Sequence, residues 1–194
     1  MKKIAYIIPG YGESHLRQRG YNKIAKFFEM RGIIPIQVDI NWRVKKFGKM
    51  LTDYTKQFLK AYKKQEGVDV YILGFSLGAT TAFLTAARTK PRALILCSLP
   101  PRFKEDSKNV KPAWIQWRRK NFSDRDYSFA KIAPKIKSKI YLLVGENEDR
   151  SYLIRAKDAK KKLKNANLTI VKKARHNISQ KEYLAAVNKV ISKI

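Results

Sequence analysis

The stretch Val68-Asp69-Val70-Tyr71-Ile72-Leu73-Gly74-Phe75-Ser76-Leu77-Gly78-Ala79-Thr80-Thr81-Ala82-Phe83 changes its local pattern at one serine. Residues 68–73 are β-branched and aromatic, the composition of a buried strand, whereas residues 77–87 are rich in Ala and Leu, as suits a packed helix. Ser76 therefore stands on a strand-to-helix corner. Gly74 and Gly78 flank it, letting neighbouring backbone approach closely while Ser76 takes a strained φ/ψ. A Gly-x-Ser-x-Gly string alone also fits a small-residue turn that merely packs helix on strand. The strand before it and the helix after it favour a nucleophile elbow. Such a corner lifts the Ser76 hydroxyl above the sheet edge and aims the first N–H groups of the helix at the same point, where negative charge is stabilised.

Outward from this corner, strand and helix alternate. Residues 3–8 form an apolar run ended by Pro9-Gly10-Tyr11-Gly12, and residues 14–30 carry an apolar stripe through Leu16, Tyr21, Ile24, Phe27 and Phe28 that Gly32 stops. Residues 33–40 read as a second strand and 50–65 as a second helix. After the elbow helix come a strand at 92–97, another at 139–144, a helix at 152–163 and a strand at 168–172. Ser179 then reads as the N-cap of a closing helix, with Glu182 completing a capping box. This alternation predicts one α/β domain over residues 1–194: a mostly parallel central sheet with helices on both faces, a three-layer sandwich whose ligand sites lie beyond the carboxyl ends of the strands. Residues 98–131 break the pattern with Pro100, Pro101, Pro112, many charges and the aromatic side chains Trp114, Trp117 and Phe122. They read as a long connection with a short helix near 113–120, either an ordinary crossover or a small cap over the site.

Composition narrows the function classes. Against 15 acidic residues stand 43 Lys and Arg, a formal net charge of +28, which gives the surface a strong positive field. Nucleic acid, an anionic membrane surface or an acidic substrate would each exploit that field; equally, lysines scattered rather than grouped into one arm fit a proteome-wide habit of the source organism. The cluster at 157–164 with Arg155 has the spacing of a solvated helix face. The single cysteine, Cys97, excludes an intramolecular disulfide and ends an apolar run, so it reads as packing in a reducing compartment. No apolar run reaches the length of a membrane span, and residues 4–8 are too short for a signal peptide core, so the expected location is cytoplasmic.

A serine hydroxyl needs an adjacent base, and the base needs an orienting group. Of the two histidines, His176 follows the last strand and falls at the same sheet edge as Ser76; His15, at the first helix, is the alternative. The order serine, acid, histidine favours His176. The acid is sought after the strand between them, where Glu146, Glu148 and Asp149 stand; Asp149 is preferred for its short side chain, with Glu148 as the alternative. Backbone N–H groups of Leu77 and Tyr11 are the expected oxyanion donors.

Pro9-Gly10-Tyr11-Gly12, Gly74-Phe75-Ser76-Leu77-Gly78, Gly145 through Asp149 and His176-Asn177 together resemble the α/β-hydrolase superfamily, in its order and over nearly the whole chain. The resemblance implies a compact, nearly lidless serine hydrolase that attacks a carbonyl through Ser76 and completes the cycle with water activated by His176. It implies no metal or organic cofactor. Pro9 departs from the histidine that many relatives carry in the first turn, and Gly-Glu-Asn-Glu-Asp leaves the identity of the acid open. Ester or thioester hydrolysis of a small acyl substrate is the leading expectation, followed by peptidase or amidase chemistry on the same residues. A non-catalytic protein that binds anionic ligands ranks behind both. Trp42, Trp114 and Trp117 are candidates to line an acyl pocket, and Arg43, Arg102, Arg118 and Arg119 to favour anionic substrates.

Overall fold

The computed structural model describes residues 2–11, 19–42, 50–62, 66–121 and 127–194, with the side chains of residues 19, 50 and 117–121 outside that description. Six strands, β1 (Lys2–Ile8), β2 (Ile34–Gln37), β3 (Val68–Phe75), β4 (Ala93–Cys97), β5 (Lys139–Gly145) and β6 (Ala166–Val171), pair in parallel in the order β2-β1-β3-β4-β5-β6. The four inner strands are the most continuously apolar segments because both of their faces are covered. β2 is shorter than the 33–40 read from sequence. It carries Pro35, which lacks an N–H for a ladder and is accommodated on an edge strand.

Among the described residues seven α-helices accompany the sheet: α1 (Arg19–Glu29), α2 (Met50–Ala61), α3 (Leu77–Thr89), α4 (Pro112–Asn121), α5 (Phe129–Ile132), α6 (Arg150–Lys162) and α7 (Lys181–Ile191). The period-two alternation of the strands sorts them into two layers. Ile72, Leu94 and Leu142 pack with Tyr54 and Phe58 of α2, Phe83 of α3 and Ala159 of α6. Their sequence neighbours Leu73, Ile95 and Leu143 pack on the other face with Tyr21 and Phe28 of α1 and Tyr183 and Val187 of α7. Each such large apolar side chain, fully buried, contributes about 1.5–3 kcal/mol. The expected three-layer α/β sandwich is therefore the observed architecture. Among the described residues no helix is long and apolar enough to cross a membrane.

Topology places the site. The chain leaves β1 toward the edge and returns across it to β3, so Ile8 and Gly74 end neighbouring strands in register. Strand order reverses here, and a crevice opens beyond the carboxyl ends. At the far end of the chain the capping box expected at Ser179 does not form. The N-cap of α7 is Gln180, without a side-chain capping bond, its amide being engaged by the Arg175 N–H and the Lys173 carbonyl, and the Ser179 N–H that Glu182 would have held is taken by the Asn177 side-chain oxygen at 2.9 Å.

The 98–131 region contains a 3-10 turn at Lys104–Asn109 together with α4 and α5. Phe103 and Phe129 pack against Phe83 of α3, with the Phe83 and Phe129 rings stacked 4.5 Å apart. Beneath them Arg155 of α6 is fully buried, 2.9 Å from the Asp106 carboxylate and with its guanidinium 4.2 Å over the Phe129 ring. Glu105 makes a second attachment: its carboxylate accepts bonds from the Ser128 hydroxyl and from the Phe129 and Ala130 N–H groups at the start of α5. Burial pushes this carboxyl up, but the Ser128 hydroxyl and the backbone donors outweigh it and hold it at about 2, below the ordinary 4.5. A lowered folded-state value means that Glu105 stabilises the fold above pH 4.5 and loses that contribution as pH falls toward 2. Over that interval the urea midpoint of the wild type, followed by circular dichroism, is expected to fall further than that of Glu105→Gln.

Candidate active site

Ser76 links β3 to α3 with φ 52° and ψ −121°, a left-handed conformation that strains any residue with a Cβ. Two close approaches explain the flanking glycines. A Cβ on Gly74 would collide with the Gly78 carbonyl, and one on Gly78 would collide with the carbonyls of Ile8 and Pro9. Gly78 thus lets the turn after β1 lie against the start of α3. Tyr21 fixes that turn by accepting the Gly10 N–H on its hydroxyl at 2.8 Å. Tyr11, Ser76 and Leu77 consequently line one small cavity of about 150 Å³, with Pro100, Arg102, Trp114 and Tyr152 closing its other sides. The Leu77 N–H is the first of α3 and has no partner within the helix, so it is available to a developing oxyanion.

His176 meets Ser76: its Nε2 lies 3.0 Å from the serine Oγ. Its Nδ1 lies 2.8 Å from Oε2 of Glu148. The carboxylate facing the imidazole is therefore that of Glu148, and the preference for Asp149 is corrected. Asp149 is the N-cap of α6, and its Oδ1 accepts both the N–H and the hydroxyl of Ser151. Those bonds, chiefly from the Ser151 side chain, hold the Asp149 carboxyl below its ordinary range. Its short side chain, which made it attractive as a triad acid, is what suits it to a cap. Glu148 instead folds back over its own turn, where Oε1 accepts the Gly145 N–H at 2.7 Å and the Ser98 hydroxyl at 2.6 Å. Glu146 points elsewhere, accepting the Lys173 N–H.

Ser98, Tyr183 and Tyr152 were not singled out from sequence. Ser98 is fully buried at positive φ immediately after β4, and its hydroxyl also meets the Tyr183 hydroxyl at 2.7 Å. Tyr183 in turn donates to the Leu143 carbonyl. A buried hydroxyl at the carboxyl end of a central strand was the available signal, since it must find a partner. Burial raises the Tyr183 phenol well above its ordinary value, with Cys97 and Glu148 adding to the effect, so it stays a neutral donor. Tyr152 lies with its ring centroid 4.9 Å from that of His176, and Phe75 approaches the imidazole at the same distance. Burial, then the Glu148 charge, push the Tyr152 phenol up to about 12, against opposing contributions from Arg102 and a hydrogen bond with the Ser76 side chain.

The aromatic candidates divide. Trp114, half-buried, lines the Ser76 cavity and also a larger one of about 690 Å³ that shares Tyr152 with it. Trp42 is corrected as a pocket residue: it is buried in the core cluster, 4.4 Å from the Tyr54 ring, with Tyr11 packed beside it. The side chain of Trp117 lies outside the described residues, as do His15, Arg43 and the side chains of Arg118 and Arg119. Cys97 is buried packing beneath the site, its thiol pushed up by burial and by Glu148.

In this arrangement the imidazole can take the Ser76 proton on Nε2 while Nδ1–H donates to Glu148. Exchanging the two carboxylates for amides separates their roles. Glu148→Gln is expected to lower kcat by about 10³- to 10⁴-fold. Asp149→Asn is expected to stay within about 10-fold of wild type, because asparagine caps a helix as well as aspartate does; esterase assays of the two variants decide it.

No curated protein matches the chain in sequence. Solved structures match in shape. Est1E from Butyrivibrio proteoclasticus, with ferulic acid bound, superposes with a TM-score of 0.76 at 18% identity over 98% of this chain and 87% of that one. MGS-MChE2, an α/β-hydrolase enzyme from a lagoon-sediment metagenome, gives 0.73 at 18% identity over 100% and 90%. The esterase Pf2001 from Pyrococcus furiosus gives 0.65 at 18% over 99% and 81%. At these identities the likeness concerns the fold. The sequence model of the family described as serine aminopeptidase, S33 (Hydrolase_4), matches residues 2–193. With that match over nearly its whole length, the chain belongs to the serine aminopeptidase S33 family, within the α/β-hydrolase superfamily.

Proposed function

We propose that this chain is a serine hydrolase that cleaves an ester or thioester bond through Ser76, His176 and Glu148. The observation that carries the reading is the continuous line of Ser76 Oγ, His176 and Glu148, with separations of 3.0 and 2.8 Å, at the mouth of a cavity. His176 removes the Ser76 proton as Oγ attacks the carbonyl, and the N–H groups of Leu77 and Tyr11 receive the oxyanion. The imidazolium then protonates the leaving group. His176 next activates water, whose attack on the acyl-enzyme releases the acid. Glu148 fixes the imidazole tautomer and stabilises its charged form. Est1E, whose structure holds ferulic acid, and the Pf2001 esterase lend support through their shared fold. The family's description favours a second reading, amide or peptide hydrolysis on the same residues. Matched ester and amide substrates separate the two.

Covalent labelling by a fluorophosphonate, read by intact mass and peptide mapping, tests the shared step. Stoichiometric modification of Ser76 in the wild type is expected, with none in Ser76→Ala and a rate lower by about 10³-fold or more in His176→Ala. A folded wild-type sample that stays unlabelled would sink the mechanism.

A further inference from the structure

Two serines stand on equivalent corners of neighbouring strands. Ser76 follows β3 and Ser98 follows β4, with φ of 52° and 51°. Each N–H extends the parallel ladder by one step, Ser76 to the Cys97 carbonyl at 2.9 Å and Ser98 to the Leu143 carbonyl at 2.7 Å. The other non-glycine residues at positive φ among the described residues, Lys90 and Lys173, are exposed, at a helix end and in a turn. Ser98 is instead fully buried. Glycine would take this backbone without strain, so what the serine adds at that corner is its hydroxyl. Ser98 is absent from the walls of the Ser76 cavity, and the hydroxyl therefore acts inside the protein and not on a bound molecule.

Resting on the hydrolase reading above, we infer that Ser98 is a positioning residue for the reaction, holding the Glu148 carboxylate in the plane that aligns His176 Nε2 with Ser76 Oγ. The Glu148 side chain is fully buried and its two oxygens have separate duties. Oε1 accepts the Ser98 hydroxyl at 2.6 Å and the Gly145 N–H at 2.7 Å, while Oε2 faces His176 Nδ1 at 2.8 Å. The Gly145 donor belongs to the glutamate's own turn and moves with it. Ser98 is tied to another strand, so it fixes Glu148 against the sheet. A carboxylate is planar, and two donors converging on one oxygen also place the other. Tyr183 supports the serine from behind: its hydroxyl is 2.7 Å from Ser98 Oγ and donates to the Leu143 carbonyl. A serine hydroxyl has one proton to give, and here it goes to Glu148. The alignment of Ser76 thus passes from the end of β4 through Glu148 and His176.

Ser98→Ala and Ser98→Gly, both checked for folding by circular dichroism, test the role. Each is expected to lower kcat for 4-nitrophenyl acetate by about 10- to 100-fold, the effect of losing a bond to a charged group and of a misplaced catalytic group. KM is expected to stay within about 3-fold of wild type, because Ser98 contributes nothing to the cavity wall. The rate of fluorophosphonate labelling at Ser76 is expected to fall by the same factor as kcat, without reference to any substrate. The glycine variant relieves the strain at φ 51° and so keeps the test open if the alanine variant folds poorly. A double-mutant cycle separates positioning from a general structural effect. In a Glu148→Gln background, Ser98→Ala is expected to change the labelling rate by no more than about 3-fold, since the group through which it acts is already lost. A folded Ser98→Ala protein with the wild-type kcat and labelling rate, or equal losses in the two backgrounds, overturns the inference and leaves the hydrolase reading intact. A folded wild type that neither labels nor turns over ester removes both.

Discussion

Alanine at position 76 is expected to lower ester turnover by about 10⁴- to 10⁶-fold while leaving the stability of the fold within about 1 kcal/mol of wild type. In the proposed mechanism the serine oxygen is both the atom that attacks and the atom acylated, so the activity loss is large. The remaining groups retain only what binding and oxyanion stabilisation supply. The stability change is small because the hydroxyl lies at the solvent-facing end of the site and alanine keeps the same Cβ at φ 52°. Glycine at the same position provides an internal control. It removes the steric cost of positive φ and is expected to be more stable than Ser76→Ala by about 1 kcal/mol, read as a higher urea midpoint, while being equally inactive. A Ser76→Ala protein that turns over substrate at the wild-type rate would place the chemistry elsewhere.

Removing Arg155 is expected to be the most damaging single change to stability. Arg155→Leu leaves the Asp106 carboxylate, 1% exposed, without its cation, and breaking such a buried pair costs about 3–5 kcal/mol. Burial already raises the Asp106 carboxyl despite Arg155 beside it, so without the guanidinium the pressure to protonate grows. The sign follows from linkage. A carboxyl whose folded value is raised loses stability as pH rises from its unfolded value, so the deficit of Arg155→Leu relative to wild type is expected to narrow in acid. The double replacement Asp106→Leu with Arg155→Met should recover most of the loss. The ion pair is itself imperfectly solvated by protein: Nε and one terminal nitrogen of Arg155 have no hydrogen-bond partner among the described residues. Urea unfolding of the two single variants and the double at pH 7 and pH 4 measures all of this. An Arg155→Leu protein as stable as wild type would show that the pair contributes nothing net.

What the sequence disclosed is governed by whether the determining physics is local. The elbow was legible because strand composition, a strained serine and the close approach of Gly74 to Gly78 are all written within the short run around Ser76, although the second approach, of Gly78 to Ile8 and Pro9, is not. His176 was legible because parallel topology sends every strand-to-helix turn to one edge, whatever the residues between. The choice between Glu148 and Asp149 was not, though half of its answer was local: Asp149 two residues before Ser151 at the start of a helix is a capping pattern. The other half, the Ser98 hydroxyl that donates to Glu148, lies 50 residues away in sequence, just past the end of β4. Trp42 failed as a pocket residue for the same reason. Whether an indole joins the core or a cavity depends on its partners, here Tyr54 and Tyr11, and no periodicity announces them. Arg155 read as part of a solvated lysine-rich face, yet the fold buries it completely, because the segment that covers it comes from the long connection before β5.

The rings of Phe75 and Tyr152, each centred 4.9 Å from the imidazole, together with the Glu148 bond, hold His176 with Nε2 turned toward Ser76. It is a fixed bearing rather than a swinging arm. A proton collected from Ser76 must therefore be handed on along nearly the direction from which it came. In the proposed mechanism it is the leaving group, and later the water, that has to arrive at Nε2. Catalytic timing in this enzyme would then be set by how the substrate shifts within its cavity after the first bond forms, and not by any reorientation of the base.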